Sequence, residues 1–460
     1  MVPPVSQRRD LSLWRIGATL AALLALPRRA EAAGPLPGPG ERIQTSDYSL
    51  DLFQGPVLAG SRITGLAGAY SALAEGAEGH SFNAAAPVVR TPYSMRRTDW
   101  DATAGVTFPS SVSGTDFDNN GRTGFTYGNF VFLTAGGQIQ DRRAGVGATV
   151  NLQQYQLSGV DAAGVVPNEQ VTSVVLRYGR GNLVGGYSFF DDQLYVGGGL
   201  RAAVLALVDS KLGAEKELFS ATGFGAEAGA VWAPKELPVR TGLTLRTPAE
   251  GKADPASRIG ADQNGDRKIG STFLPSTIFL PWEIEAGAAT QLGPRPLNPG
   301  WTNPESFTEE ELAAQAVEGE SRAATAKRLA KLRYDSLPRK KLLITSSVLI
   351  TGPTKNAVGF ESFLAQQVDR SGERVSVMPR LGLEGELVPG WLQLRGGSYL
   401  EPSRFRGVAP RPHGTFGFDV KTFSWDVFGL LDAGTYFRVS SAVDVSRQYF
   451  GWTLGAGVWR

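Results

Sequence analysis

The first stretch whose residue types could do chemistry is a short acidic loop that offers oxygen ligands for calcium. Asp116, Asp118 and Asn120 match positions 1, 3 and 5 of a calcium-binding loop, and Gly121 matches position 6. Position 12, where such loops place a bidentate carboxylate, is Tyr127. The match stops halfway, and a turn rich in Asn, Asp and Gly accounts for the same residues.

A second loop repeats the spacing with Asp262, Asn264 and Asp266. Arg267 stands where the loop glycine belongs, and Phe273 stands at position 12. We keep calcium in these two loops as a hypothesis, with an ordinary polar loop as its alternative. No other cofactor is predicted.

The sequence contains few candidates for catalytic residues. The chain has no cysteine, which excludes disulfide scaffolds, thiolate metal sites and cysteine catalysis. The two histidines are His80 and His413, and no G-x-S-x-G, P-loop or dinucleotide fingerprint occurs. His80 beside Ser81 is interpreted as incidental. We therefore predict that the chain is not an enzyme, and a net charge of +2 gives no reason to expect nucleic-acid binding.

The elements that must carry these residues are strands with alternating apolar and polar side chains. Phe416 and Phe418 alternate with Thr415 and Asp419, and the pattern returns over 436–458. Apolar-out, polar-in strands of about 10 residues are typical of a transmembrane barrel. A soluble sandwich also alternates, so a periplasmic or secreted sandwich stays open at this point.

The lengths of the links favour the barrel. About fourteen strands are predicted, near 94–109, 123–139, 144–157, 171–188, 193–208, 217–232, 238–247, 278–292, 340–351, 375–387, 391–400, 414–425, 433–445 and 449–459. Short links at 140–143, 189–192, 234–237 and 388–390 alternate with long ones. Outer-membrane barrels have this pattern, with tight periplasmic turns and long outer loops, whereas a sandwich has no such rule.

The N-terminal fifth of the chain is organised differently. A basic start, an apolar run over 16–26 and the Ala-Glu-Ala at 30–32 predict a secretory signal peptide over 1–32. Residues 33–92 form a leader and a segment of small residues, in which at most a short helix over 69–77 is expected. Residues 93–460 form the all-β transmembrane antiparallel barrel, which places the mature chain in the outer membrane.

One long, charged link breaks the rule. Residues 293–339 should be a tight turn, yet Thr308 and Glu311 form a capping box ahead of a basic stretch. This predicts a helical insert at about 305–338, with the helix over 308–334 and a break at Gly319. The insert is either a solvated decoration or a docking element for a periplasmic or secreted protein partner at residues 305–335.

Residues 60–70, 74–77 and the Asn-Ala-Ala at 83–85 resemble the N-terminal segment of FadL-type transporters, which are outer-membrane channels for long-chain fatty acids and aromatic hydrocarbons. Further likeness lies at 191–199, 242–248 and 280–287. In that family a segment rich in Gly and Ala folds into a hatch that plugs a 14-stranded barrel. The family's box reads Asn-Pro-Ala, so the hatch turn at Asn83 departs from it.

The resemblance implies passive outer-membrane transport of hydrophobic small molecules, of the fatty-acid or hydrocarbon class, by a protein that contacts outer-membrane lipid. The alternative is a barrel scaffold or shuttle that binds a protein partner. The alternation alone fits a general porin equally well. The residues expected in the hatch or at the ligand are Gly65, Gly68, Tyr70, Asn83, Arg201 and Arg438.

Charged residues on the inward face should share the lumen. Arg380, Glu384 and Arg395 are expected to pair there, because lone charges in a confined interior are costly. Arg201 or Arg438 could instead hold a ligand carboxylate. Interfacial girdles are predicted from Trp391, Tyr399, Trp425, Trp452 and Trp459.

Overall fold

The computed structural model describes residues 36–90, 97–109, 115–123, 128–157, 163–166, 169–170, 174–209, 216–301, 303–338, 341–424 and 436–459. The signal peptide predicted over 1–32 lies outside these residues, as do Tyr127 and Trp425. In the described part of the chain, no helix is both long and apolar enough to cross a membrane.

Most of the described strands form one large, mainly antiparallel sheet that closes on itself. Strands lie at Ser49–Asp51 (β1), Thr98–Phe108 (β2), Gly128–Asp141 (β3), Ala144–Leu157 (β4), Ala163–Val166 (β5), Glu169–Gln170 (β6), Val174–Phe189 (β7), Leu194–Asp209 (β8), Lys216–Trp232 (β9), Val239–Arg246 (β10), Ala249–Lys252 (β11), Lys268–Ile269 (β12), Thr272–Phe273 (β13), Thr277–Leu280 (β14), Glu283–Leu292 (β15), Leu342–Thr351 (β16), Ala357–Val358 (β17), Ser376–Val388 (β18), Leu392–Glu401 (β19), Arg411–Ser424 (β20), Tyr436–Ser446 (β21) and Tyr449–Val458 (β22). The pairs β5–β6 and β12–β13 form two small separate sheets. Strand β2 pairs with β22, from Thr103 opposite Gly457 to Phe108 opposite Trp452.

The wall of this barrel has fourteen strands in the described residues, because β10 continues as β11 and β14 continues as β15. The two faces alternate as the sequence predicts: Phe416 is 50% exposed, whereas Asp419 on the opposite face is 1% exposed. The apolar rows point away from the enclosed interior. The barrel is therefore confirmed, and the two-sheet sandwich is excluded.

The two ends of the barrel differ in their links. Tight turns follow β3, β7 and β18 at one end, which we call the turn end. The opposite end, the loop end, carries the segments 253–276, 352–375 and 402–410 among others. One loop-end link is short, since Ser446 pairs with Tyr449 across a two-residue turn.

Two neighbouring wall strands are interrupted at prolines. Pro248 separates β10 from β11, and Pro281 separates β14 from β15. Proline cannot donate to a ladder of hydrogen bonds, so the sheet bends here. Before the bend β15 pairs with β16, whereas beyond it β14 pairs with β1. Strand β1 pairs on its other side with β17. The leader thus adds a parallel strand to the loop end of the wall.

The small-residue segment folds inside the barrel as a series of short turns. It contains helix α1 (Ser61–Gly65) and two 3₁₀ turns at Ala77–Ser81 and Ala86–Val88. Residues 69–77, where at most a short helix was expected, form turns instead of a helix. Ala74 has φ +47° and Gly76 has φ +70°, and left-handed residues interrupt a right-handed helix.

The insert at the turn end contains helices α2 (Glu309–Ala314) and α3 (Arg322–Asp335). Thr308 and Glu311 form the capping box that the sequence predicts. Gly319 has φ +82° between the helices, so the chain breaks at the expected glycine. Phe307, Leu312 and Ala330 form a small apolar core within this hairpin. Helix α4 (Phe360–Ala365) lies in a loop at the other end.

Candidate functional site

A collar of wall glycines holds residues 55–90, the hatch, at close range. A Cβ built on any of these glycines would lie 2.0–3.3 Å from a hatch atom. They are Gly136, Gly145, Gly147, Gly186, Gly197, Gly229, Gly242, Gly287, Gly382, Gly397, Gly417 and Gly455. Real Cβ atoms rarely approach other atoms below about 3.4 Å. At these glycines the backbone of the wall therefore lies directly against backbone and side-chain atoms of the hatch.

Asn83 fastens the hatch to itself and to the wall. Its Nδ2 donates to the carbonyls of Ser71 (2.8 Å) and Ala230 (3.1 Å), and its Oδ1 accepts from the N–H of Ala85 (3.0 Å). The side chain is fully buried. Asn83 of the Asn-Ala-Ala box thus has a structural role, because its side chain holds two parts of the hatch together and joins them to the wall.

The other hatch residues singled out in the sequence are also buried against the wall. The carbonyl of Gly65 accepts from Thr415 Oγ1 (3.0 Å), and that of Gly68 accepts from Arg380 (3.2 Å). The hydroxyl of Tyr70 donates to the carbonyl of Glu75 (2.8 Å) and accepts from Arg62 (2.9 Å). Whether any of them contacts a ligand stays a prediction.

Ion pairs tie the turn-end side of the hatch to the wall. Arg62 of α1 contacts Glu384 (2.9 Å), and Glu75 contacts Arg240 (2.7 Å). Arg395 bridges Glu384 at 2.6 Å to Asp419 at 2.5 Å. These groups are mostly buried, and their pairing agrees with the expectation of opposed charges in the lumen.

Glu75 stays ionised within this network. Burial alone would raise the pKa of its carboxyl group. The positive charges of Arg62, Arg240 and Lys341 outweigh burial and lower the pKa of Glu75 to about 2. The hatch is therefore held by charge at any pH well above that value.

Arg438, a predicted ligand-binding residue, is occupied by the hatch. It contacts Glu78 of the hatch at 2.5 Å and Asp419 of the wall at 2.8 Å. Thr103 also donates to Glu78 (3.1 Å). In the described structure Arg438 thus joins hatch to wall.

A second ionic layer lies on the loop-end side of the hatch. Arg246 contacts Glu283 (3.1 Å) and Glu227 (3.6 Å), and Arg380 contacts Glu285 (3.1 Å). These groups face the lumen from β9, β10, β15 and β18. The two layers lie on either side of the small-residue segment.

Arg201, the other predicted ligand residue, spans the proline bend from the inside. It contacts Glu283 at 3.2 Å and donates to the carbonyls of Thr247 and Pro281, each at 2.5 Å. Those carbonyls lie where the prolines interrupt the ladder. Arg201 thus satisfies backbone groups that the wall leaves unpaired.

Two cavities flank the hatch. The turn-side cavity, of about 100 Å³, is lined by charged side chains of both signs, including Arg62, Glu78 and Lys341. The loop-side cavity, of about 80 Å³, is lined by nine apolar, six uncharged polar and five charged side chains, among them Phe53, Phe82 and Arg180. The interior thus changes from mainly ionic to mixed character across the hatch.

The start of the 293–339 link lies against the turn-end side of the hatch. Leu297 is 7% exposed and packs in the same apolar cluster as Tyr70 and Leu73 of the hatch. Asn298 accepts from Arg240 Nε (2.6 Å) and donates to the carbonyls of Pro234 (2.8 Å) and Val239 (2.9 Å). Sequence periodicity gave no sign of this segment, because it forms neither helix nor strand.

A buried aromatic cluster fills the loop end of the lumen. Phe117, Phe132, Tyr155 and Phe360 have ring centroids 4.8–6.0 Å apart in successive contacts. Tyr399, predicted for an interfacial girdle, lies in the lumen at 2% exposure and stacks on His413 at 4.2 Å. That prediction was wrong, because strand register placed Tyr399 on the inner face.

Both histidines are bound to the wall. His80 contacts Thr149 Oγ1 (2.8 Å) and Gln138 Oε1 (2.9 Å), so it fastens the hatch rather than pairing with Ser81. His413 lies between Asp444 and Glu401, each 2.7 Å away. Ser81 contacts Asn182 instead (3.2 Å).

The first acidic loop meets a carboxylate that the sequence could not place there. Ligand atoms of Asp116, Asp118 and Glu361 lie within 4.8 Å of one another. Asp116 already accepts from the N–H groups of Asn120 (2.9 Å) and Gly121 (2.8 Å). Burial, and next the neighbouring Glu361, raise the pKa of Asp118 well above its usual range. Calcium here stays a prediction.

In the second loop the carboxylates hold backbone turns. Asp262 Oδ1 accepts from the N–H groups of Asn264 (2.8 Å) and Asp266 (3.1 Å). Asp266 in turn accepts from the N–H of Ser46 in the leader (2.6 Å). This arrangement fits the polar-loop alternative, and calcium is again untested.

No protein-family model matches the chain, and no curated protein matches it. Among solved structures it is similar to the CymD monoaromatic hydrocarbon channel, at 11% identity and a TM-score of 0.44 over 88% of this chain and 97% of that chain. A Pseudomonas aeruginosa FadL homologue is similar at 10% identity and a TM-score of 0.45, over 91% of this chain and 99% of the other. The P. putida toluene transporter TodX is similar at 11% identity and a TM-score of 0.45, over 87% of this chain and 97% of that chain.

Proposed function

We propose that this chain is an outer-membrane channel that lets hydrophobic small molecules, of the fatty-acid or hydrocarbon class, diffuse past a movable hatch. The observation that carries the proposal is the hatch itself, held inside a closed barrel with a cavity on each side. A general porin gains nothing from filling its lumen in this way. The apolar outer rows suit contact with outer-membrane lipid.

Passive passage fits the way the hatch is held. Its contacts are ion pairs, hydrogen bonds and close backbone packing, none of them covalent. A solute that reaches the loop-side cavity needs the hatch to shift before it can leave at the turn end. The proposal therefore includes no cofactor and no energy source, and it gives the described residues no catalytic role.

A reversible lock on the hatch tests this proposal. Oγ of Ser61 in α1 and Oγ of Ser440 in β21 are in direct contact, and the chain contains no other thiol to interfere. Replacing Ser61→Cys and Ser440→Cys should allow a disulfide between hatch and wall. Cells that express the pair should take up radiolabelled toluene or oleate slowly when oxidised and at the unlocked rate after dithiothreitol.

Single Ser61→Cys and Ser440→Cys variants are the matched controls, since each lacks a partner thiol. Uptake that equals that of cells without the protein would overturn the transport proposal. Uptake at the same rate with and without the disulfide would instead show that the solute takes a path that avoids the hatch.

The scaffold alternative has less support in the described residues. The hairpin α2–α3 packs its apolar side chains on each other, and Arg322 and Arg333 pair with Glu309 and Glu311. A protein partner at 305–335 stays a prediction. Co-purification of a protein that is lost when 305–335 is deleted would favour it.

A further inference from the structure

The loop-side ionic layer contains more positive than negative groups. Four guanidinium groups, those of Arg180, Arg201, Arg246 and Arg380, face three carboxylates, those of Glu227, Glu283 and Glu285. Three of the arginines make ion pairs shorter than 3.3 Å. Within the described part of the chain, Arg180 makes neither a hydrogen bond nor an ion pair. The layer thus has one guanidinium that acts on Glu283 at longer range without a direct contact to a carboxylate of the described residues.

Arg180 faces the loop-side cavity from β7. The register pairs it with Asn151 of β4, and both side chains line the cavity. Asn151 Oδ1 accepts from Thr134 Oγ1 (2.7 Å), which leaves its amide N–H₂ without a partner among the described residues. A guanidinium and an amide donor side by side form a receptor for a carboxylate.

Apolar side chains form part of the remaining lining, beside uncharged polar residues and the ion-paired Arg246, Arg380, Glu283 and Glu285. Phe53, Val57, Phe82, Phe132 and Leu349 line the cavity together with Arg180. Its volume of about 80 Å³ corresponds to roughly five to eight waters, because one water needs about 10–15 Å³ on this measure. A single aromatic ring with one carboxylate fits this space, whereas a long acyl chain would extend beyond it.

We infer that the loop-side cavity binds a monoaromatic carboxylate of about the size of benzoate, with the carboxylate on Arg180 and Asn151 and the ring against the apolar lining. The inference rests on the proposed function, since it takes the lumen as the path of the solute. The inference goes beyond the proposed function, because the cavity would bind an anion in preference to a neutral hydrocarbon of the same shape.

The test is a calorimetric titration of the purified full chain in detergent with sodium benzoate, toluene and oleate at neutral pH. The wild type should bind benzoate saturably, and Arg180→Gln should weaken this binding about tenfold or more, because charge-assisted hydrogen bonds are lost. Toluene binding should be unchanged by the substitution. Arg177→Gln is the matched control, since Arg177 lies on the outer face of the same strand and pairs with Gln154 (3.2 Å).

Equal benzoate affinity in wild type and Arg180→Gln, or no benzoate binding by the wild type, would overturn the inference. Arg180-dependent binding of oleate without benzoate binding would overturn the aromatic class. Since Arg180 contacts no carboxylate of the described residues directly, Arg180→Gln should leave the melting temperature unchanged, and a fall would assign Arg180 to structure instead. Failure of the transport proposal is distinguishable, because it appears as absent solute uptake by cells while benzoate binding persists.

Discussion

Gly229 of the wall faces Asn83 of the hatch with no room for a side chain between them. A Cβ on Gly229 would lie 2.0 Å from Oδ1 of Asn83. The same asparagine donates hydrogen bonds to the carbonyls of Ser71 in the hatch and Ala230 in the wall. Displacing Asn83 would therefore disturb both the hatch and the wall strand beside it.

We therefore expect Gly229→Ala to dislodge the hatch and make the barrel leaky. Overpacking of a buried site costs about 1–3 kcal/mol. Uptake of a polar dye by whole cells should rise several-fold. Gly414→Ala is the control, because a Cβ there meets nothing within 4 Å. Equal leakage in the two variants would contradict the collar.

The contact between Arg438 and Glu78 should be needed to keep the hatch in place. Arg438→Gln leaves Glu78 largely buried without its cation, and breaking a buried pair costs up to about 3–5 kcal/mol. Conductance in planar bilayers should rise, and Glu78→Gln should produce the same change. The double variant should be no worse than either single one, and fully additive effects would argue against a shared contact.

Acid should release the hatch only at low pH. The pKa of Glu75 is lowered to about 2 in the fold, so its contribution is complete above its unfolded value of about 4.5 and is lost as the pH falls towards 2. Conductance should be constant from pH 7 to 4.5 and rise below it. Glu75→Gln should already conduct at pH 7. A rise between pH 7 and 5 in the wild type would assign the release to another group.

Asp118 should lower stability at neutral pH. Its pKa is raised in the fold by burial and by Glu361, so the folded state favours the protonated form. Stability should be highest near its unfolded value of about 3.8 and fall as the pH rises towards the folded value. In EDTA, Asp118→Asn should raise the melting temperature at pH 7 and flatten this dependence. If added calcium stabilises the wild type and not Asp118→Asn, the calcium hypothesis gains support.

The segment at Leu297 and Asn298 should restrict the turn-end mouth independently of the helices that follow it. Asn298→Ala removes the acceptor for Arg240 and the donor to Pro234 and Val239. Dye leakage should rise in this variant, whereas deletion of 305–335 should leave it unchanged. The reverse result would assign the closure to the helices.

The barrel was predictable because strands that separate lipid from lumen repeat one simple period. Phe416 and Asp419 fall on the expected faces, and the capping box at Thr308 begins a helix as expected. The hatch was harder, since its left-handed residues at Ala74 and Gly76 leave no periodic signal. The resemblance at 60–70 located it where periodicity could not.

The lining of the lumen could not be derived in the same way. The prediction assigned Tyr399 to the membrane interface, because an error of one residue in strand register exchanges the inner and outer faces. Glu361 lies more than 240 positions from Asp116 and Asp118, so no local spacing joins them. Arg201 and Arg438 were singled out as ligand-binding residues, which stays a prediction, and their partners Thr247 and Glu78 depend on three-dimensional packing.

The leader strand β1 has a consequence for how the molecule is made. It pairs with residues 277–279 and 357–358, which are synthesised long after it. Contacts so distant along a chain form late, because closing the intervening loop costs entropy first. The leader consequently joins the wall only after residues 277–279 and 357–358 have been made, and closure of the barrel by β2 and β22 spans a longer separation still.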